Sequence, residues 1–395
     1  MTQLVERTEV KDYLAIATNL SKRLAASAIE RDREAGSPLE EVEQLRASGL
    51  LPMMMPKAYG GIGATWMEGF TILKELAKAD GSIGQLYANQ LALSVVPLGI
   101  GTPAQAEYYT QATARHHLFW GNALNGRDAR LKIEPEGDHY RVNGIKSFGT
   151  GLVAADLRIF GAMQAGVDHP IVFVLPKDRE GVVYNQDWDN MGQRRTASGS
   201  FTFTNVLVYA DEVLGPPPSP DSASGTLLFL IAQLSKTYVY LGIAEGAFEA
   251  AKDYTTTSTR PWITSGVEQA SKDPYIMHHY GEFWIQLKAA IALADQAAQQ
   301  LQAAWEKGDA LTFAERGEVA IAISVAKAFA ARAGLDITNR IFEVMGARAT
   351  AAKYGFDRYW RDLRTFTLHD PVDYKIRDVG NWVLNQEVPM VTQYS

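Results

Sequence analysis

Apolar positions recur at helical spacing from Val10 to Arg33 (Tyr13, Leu14, Ala17, Leu20, Leu24) with no Gly or Pro among them, which predicts a long first helix. Ser37-Pro38 reads as the start of a second helix, with Ser37 at N-cap, Pro38 at N1 and Glu40 at N3, running to Gly49. A glycine-rich loop at 56–66 follows, then helices at roughly 67–79 and 83–98 and a short one after Thr102-Pro103. Near residue 118 the period shortens. Segments such as HYRVNGIKSFG, LRIFGAMQ, PIVFVLP and GSFTFTNVLVY alternate or run apolar between Gly, Asn and Asp turns, predicting seven or eight strands up to about 215. A Pro- and Ser-rich stretch, 215–225, reads as a linker. From 226 the helical period returns in long segments at 226–256, 274–307, 312–345 and 371–387, three of them rich in Ala and Leu, as bundle helices are. The polar connection between the first two is long for a compact region, a property of functional loops. The order predicts an α+β protein, with a helical domain (1–117), a β-domain (118–222) and a C-terminal four-helix bundle (223–395).

Composition narrows the chemistry. The 395 residues contain no Cys, which excludes disulfides, thiolate metal sites, iron–sulfur clusters and a Cys nucleophile. The formal charge is −7 with no basic block, so no nucleic acid is expected as a partner. No run approaches about 18 uninterrupted apolar residues and the first residues lack an apolar leader, so neither a membrane span nor export is expected and a cytoplasmic setting is. Dinucleotide, P-loop, zinc-protease and serine-hydrolase motifs are absent, and the glycines at 60, 61 and 63 lie between helices rather than after a strand. Of the seven histidines, 116/117 and 278/279 are adjacent pairs that cannot face one site on a regular element, so no metal site is expected.

Three features carry possible chemistry. Gly121-Asn122-Ala123-Leu124-Asn125 follows an aromatic strand, and its Asn amides could pair with a planar heterocycle; an Asn-rich turn would look the same. Lys146-Ser147-Phe148-Gly149-Thr150-Gly151 ends a strand in small residues that would let a flat ligand reach the backbone and the Thr150 hydroxyl; a plain strand end remains the alternative. Near the C-terminus, Asp370-Pro371 reads as N-cap and N1 of the last helix, placing His369 in the turn before it, either structural or catalytic.

These features in this order, on this layout, resemble the acyl-CoA dehydrogenase superfamily over essentially the whole chain. Several segments are most similar to its two-component (group D) flavin monooxygenases of the dibenzothiophene, alkanesulfinate and sulfone type: Asp187-Trp-Asp-Asn-Met-Gly-Gln, Thr196-Ala-Ser-Gly-Ser200, Tyr240-Leu-Gly-Ile-Ala-Glu-Gly246, Arg260-Pro-Trp262, Asp273-Pro-Tyr275, Tyr280-Gly-Glu-Phe283, Tyr354-Gly-Phe-Asp-Arg358 and Leu368-His-Asp-Pro-Val-Asp-Tyr-Lys375. The resemblance implies an acyl-CoA dehydrogenase-like fold, reduced FMN supplied by a separate NAD(P)H:FMN reductase, O2 as co-substrate, and a homotetramer whose neighbours complete each flavin site. It places Thr150 at flavin N5, Asn122 at the C4a edge, with Asn125 also on the flavin side, and Phe148 beside the ring. Arg260 and Arg348 fall on the phosphate, and His369 beside the reacting oxygen. It makes Thr150, Asn122 and His369 the catalytic residues, with Gln85, Tyr87, Asn89, Met191 and Phe366 lining the substrate pocket. Asp370 falls on the catalytic-glutamate position of some acyl-CoA dehydrogenases, but is one carbon shorter and followed by Pro371. In the pocket, Gln85, Phe366 and Thr150 depart from the dibenzothiophene pattern, and Asn125, Arg127 and Gln85 suit a small polar or anionic substrate. The implied activity is oxygenation of a small organosulfur compound through a C4a-hydroperoxyflavin, in sulfur assimilation. The alternatives are an aromatic-heterocycle monooxygenase of dibenzothiophene or indole type, or an FAD-dependent acyl-CoA dehydrogenase.

Overall fold

A computed structural model describes residues 2–215 and 222–395; most of the expected linker lies outside the described residues. Six helices come first: α1 (Thr2–Glu34), α2 (Leu39–Ala47), α3 (Trp66–Ala79), α4 (Gly81–Leu93), α5 (Val96–Ile100) and α6 (Pro103–His116). The expected 83–98 helix is two helices, parted at Ser94 and Val95. The expected cap of the second is corrected too: α2 starts one residue later, with Pro38 at N-cap and no side-chain cap bond from Ser37. Asp80 separates α3 from α4 and accepts from the Ser82 and Ile83 amides, so one carboxylate both ends a helix and caps the next.

Seven strands follow: β1 (Trp120–Ala123), β2 (Lys132–Glu136), β3 (His139–Lys146), β4 (Leu157–Met163), β5 (Pro170–Pro176), β6 (Val182–Tyr184) and β7 (Phe201–Tyr209). They form one mixed sheet in the order β1-β4-β2-β3-β7-β6, with β5 on β4. The sheet curls round its own core, where Ile133, Val142, Phe160, Phe173, Phe203 and Val206 are buried. β1 runs parallel to β4, with Asn122 opposite Ile159. On the other side Asn122 bridges to Thr150.

The C-terminal part holds three long helices, α7 (Leu227–Thr257), α8 (Pro274–Lys307) and α9 (Phe313–Met345), then α10 (Asp357–Thr367) and α11 (Val372–Asn385). The fourth bundle position is therefore shared by two short helices, and α10 is one that the sequence pattern did not reveal. α7 has the length and hydropathy to cross a membrane, but 78% of its most apolar window is buried in the protein. One apolar core joins Leu73, Leu76 and Leu86 of the first helices to Leu234, Tyr240, Ile337 and Leu363 of the last. Gly242 and Gly246 make this contact close: an added Cβ would meet the Lys74 and Lys78 carbonyl oxygens at 2.5 and 2.2 Å.

Candidate active site

Two seams bring the sheet against the last helices and the C-terminal segment, and Asn122, Phe148 and Thr150 lie along the first, Asn125 and His369 along the second. In the first, positive φ at Phe148 (+60°) turns the chain out of β3, and the Gly149 amide donates to Gly199 O at 2.9 Å. This buries Thr150, whose hydroxyl lies 2.9 Å from the Ser198 hydroxyl. Ser198 is in turn 2.7 Å from Thr196 Oγ1, which donates to Gln193 O at 2.8 Å. The Gln193 amide then donates to Asp362 Oδ1 of α10 at 2.6 Å. A chain of hydroxyls thus ties Thr150 to the helix that precedes His369. The Asn122 amide donates to Thr150 O at 3.2 Å, setting the two side by side. Phe148 stays 57% exposed, edge-on to Trp188 at 6.3 Å between centroids.

In the second seam, the turn after β1 meets the chain's last residues. An added Cβ at Gly126 would lie 2.8 Å from Gln393 Oε1. The next residue, Tyr394, sets its ring 6.1 Å from that of His369. Asn125 is occupied locally, its Oδ1 accepting from the Arg127 amide and its carbonyl from Lys146 Nζ.

At the centre stands His369. Asp370 is not the expected helix cap, because α11 begins at Val372 with Pro371 at N-cap and no side-chain cap bond. The Asp370 carboxylate instead turns inward. Its Oδ1 lies 3.1 Å from His369 Nδ1 and accepts from Lys327 Nζ at 2.5 Å, while Oδ2 is buried with no hydrogen-bond partner among the described residues. Lys327 is wholly buried and also donates to Gln233 Oε1. The His369 bond and the Lys327 and Lys236 ammonium groups hold Asp370 well below the usual carboxylate range against the cost of its burial. The surrounding protein, and then the Lys236 charge, push His369 down to about 4, although its side chain keeps 41% of its surface exposed. His369 is therefore neutral near pH 7. An ionised Asp370 can only accept, so Nδ1 carries the proton and Nε2 is left as a lone pair.

The pocket residues divide. On α4, Gln85 and Asn89 share a half-buried face, and the Gln85 Oε1 is buried with no hydrogen-bond partner among the described residues. Tyr87 is a correction: it points the other way, fully buried, with its hydroxyl donating to Leu50 O at 3.0 Å, so it belongs to the core. Phe366 is 5% exposed, edge-on to Tyr240 at 5.6 Å and to His369 at 6.4 Å, a wall behind the histidine. Met191 is 43% exposed on the loop before β7.

Arg260 and Arg348 are not brought to this centre. Arg348 donates to Ser258 O at 2.8 Å, just beyond the end of α7, and Arg260 is exposed two residues further on. Lys236 lies in the third turn of the 31-residue α7, so about 30 Å of helix separates it from Ser258 at 1.5 Å per residue. Within one chain, the phosphate-type arginines and His369 lie at opposite ends of the bundle.

Two residues escaped the sequence reading, Lys236 and Lys327. Their signal was present: Lys236 is the only charge between Leu227 and Ala244, and Lys327 the only one between Val319 and Ala331. A lone charge in an apolar helical run must be buried with a purpose, because burial without a partner is costly. Among the described residues no cluster of His, Asp and Glu could hold a metal ion.

In the first seam an exposed aromatic, Phe148, adjoins the buried Thr150 hydroxyl, and in the second a neutral imidazole, His369, is partly exposed; an exposed ring and a hydroxyl of this kind suit a flat heterocycle. Residues 14–117 match the acyl-CoA dehydrogenase N-terminal domain and residues 234–374 its C-terminal domain. Dibenzothiophene monooxygenase of Mycolicibacterium goodii is 46% identical, covering 98% of this chain and 97% of its own length. The probable FMNH2-dependent monooxygenase SfnC of Pseudomonas putida is 44% identical over 98% of each chain. The structure of methanesulfinate monooxygenase MsuC from Pseudomonas fluorescens superposes with a TM-score of 0.94 at 42% identity, covering 97% of this chain and 99% of that one. With the helical–β–helical layout and the His369 centre in place, the chain belongs to the acyl-CoA dehydrogenase family, in its branch of FMN-dependent monooxygenases.

Proposed function

We propose that this protein uses reduced FMN and O2 to oxygenate the sulfur of a small organosulfur compound, of which a sulfinate is the best fit. The overall change is balanced as RSO2⁻ + O2 + FMNH2 → RSO3⁻ + H2O + FMN: one oxygen atom joins sulfur, the other leaves as water, and the flavin loses two electrons. FMN supplies the electron pair that activates O2, and a separate NAD(P)H-dependent reductase in a cytoplasmic setting would renew it. The chain's own residues supply the rest. Thr150, positioned by its hydroxyl chain, would hold a hydrogen bond at the flavin ring, with Asn122 and Asn125 on the same side. Phe148 would shield the ring from water. His369, neutral with Nε2 unprotonated, accepts a hydrogen bond or a proton from the reacting oxygen or substrate. Asp370 and Lys327 keep it in that tautomer.

The observation that carries the reading is the His369–Asp370–Lys327 line. A carboxylate already paired to a buried lysine and a histidine is poorly placed to abstract an α-proton, which disfavours the acyl-CoA dehydrogenase alternative. The separation of Arg260 and Arg348 from His369 favours a site shared between copies, with the arginines of one subunit holding the phosphate of a flavin whose ring lies at the neighbour's Thr150. A homotetramer, a dimer of dimers, is the assembly proposed. The connection after α7 exposes Trp262 (72%) and Ile263 (89%), and α8 exposes Tyr275 and Ile285, an apolar surface suited to subunit packing. The test is direct: enzyme, FMNH2, O2 and methanesulfinate should give methanesulfonate in preference to hydrogen peroxide. Flavin reduction by an acyl-CoA without oxygen would overturn the reading.

A further inference from the structure

α7 presents Gln233, Lys236 and Tyr240 on one face, at i, i+3 and i+7. Gln233 reaches the Phe366–Asp370 turn through Lys327, which bonds both Gln233 Oε1 and Asp370 Oδ1. Tyr240 reaches the same turn by donating to Phe366 O at 3.2 Å and by ring contact. Lys236 lies between these two anchors, so its side chain is delivered to the turn that carries His369. Its influence is visible there: after burial it is the largest perturbation of His369, and it also acts on Asp370.

Among the described residues the Lys236 ammonium bonds only within its own helix, donating to Ala232 O at 3.1 Å. Asp370 is already paired with Lys327. Lys375, the third lysine of the cluster, spends its ammonium on the Tyr394 carbonyl, with Asp378 nearby. The Lys236, Lys327 and Lys375 ammonium groups therefore share one carboxylate, and Lys236, half-buried, is the one with no acceptor outside its own helix among the described residues. Burial disfavours an ammonium and draws Lys236 down to about 8, with Lys375 acting the same way, although the Asp370 charge, shared with Lys327, opposes it. A bound anion would supply the missing partner.

We infer that Lys236 is a specificity-determining residue of this site, pairing with the anionic headgroup of a small organic acid and holding it beside His369. The inference deepens the monooxygenase reading and rests on it: it narrows the substrate to anions of the sulfinate class over neutral sulfides, sulfones or aromatic heterocycles. A sulfinate and the sulfonate it becomes are both monoanions, so the pairing would persist through the reaction.

The experiment compares methanesulfinate with dimethyl sulfone, a neutral probe of similar shape. Binding to wild type, Lys236→Met and Lys236→Arg is measured by calorimetry in the presence of FMN, and KM for both compounds in turnover with FMNH2. Wild type should prefer methanesulfinate, and Lys236→Met should weaken methanesulfinate about 10- to 100-fold while dimethyl sulfone and FMN change less than about twofold, as expected for loss of one charge-assisted bond. Lys236→Arg should recover part of the loss, which a folding defect in the Met variant would not mimic. Unchanged methanesulfinate affinity in Lys236→Met would overturn the inference. So would equal losses for both probes, a loss of FMN binding alone, or a wild type that prefers dimethyl sulfone. A wild type that binds methanesulfinate but turns all O2 into peroxide would sink the monooxygenase reading instead, leaving the pairing intact.

Discussion

Single side chains here act through the charges around them. If His369 serves oxygen transfer as proposed, His369→Ala should lower product formation at least 100-fold, with peroxide taking its place, since general acid–base help is worth ~10²–10⁴-fold. Thr150→Val keeps the shape but not the hydroxyl, and should bind FMN while shifting O2 consumption from product to peroxide. Equal product yield from either variant and wild type would reduce that residue to a structural one. Asp362 gives a prediction of opposite character. Burial, with Asp80 nearby, pushes it up to about 7, against the bond from the Gln193 amide. The folded protein then holds a proton between about pH 4 and 7 that the unfolded chain has released, so this group's contribution to stability falls as pH rises through that window. Asp362→Asn keeps an acceptor for Gln193 without the charge. It should therefore stabilise the protein by on the order of 1–3 kcal/mol at pH 8 and by little near pH 4, read from urea unfolding at the two pH values.

Elements meet where side chains are absent. Gly242 and Gly246 let α7 approach the backbone of α3, at the Lys74 and Lys78 carbonyls. Gly246→Ala would place a methyl group 2.2 Å from the Lys78 carbonyl oxygen, so it should cost about 1–3 kcal/mol despite the better helix propensity of Ala. Gly281, in the first part of α8, has nothing within 4 Å of an added Cβ, and Gly281→Ala should gain about 0.5–1 kcal/mol. Denaturation midpoints moving the same way in both variants would contradict this packing argument.

At the scale of the whole molecule, α7 and α9 run side by side in the same direction. Gln233 meets Lys327 near one end, and the Thr255 hydroxyl donates to Val344 O near the other. His369 stands at the first end and Arg348 at the second. If each flavin site is shared, Arg260→Ala and His369→Ala damage different subunits of the same site. Each pure variant should fail, Arg260→Ala with about 10- to 100-fold weaker FMN binding. Subunits mixed and reassembled should recover a substantial fraction of activity, because some sites then combine an intact arginine with an intact histidine. No recovery, or full activity as a monomer in light scattering, would refute the shared site.

The alternation of periods determined the helical–β–helical order, since 3.6-residue and two-residue repeats are local properties of the chain. It placed α7, α8 and α9 within a residue or so of their observed bounds. Family segments placed Thr150, Asn122 and His369, which the structure ties into neighbouring seams. Local pattern failed where long-range contacts overruled it. Asp370-Pro371 has the local form of a helix cap, yet Lys327, 43 residues earlier, draws the carboxylate inward. Tyr87 stands between Gln85 and Asn89 in sequence, but the turn of α4 sends it into the core while they stay half-buried. The three-domain division by sequence also concealed that the first and last helices share one core. The charge state of His369 was decided by tertiary structure alone, because a pKa depends on which buried lysines and carboxylates surround the ring, and those come from α7, α9 and the turn before α11.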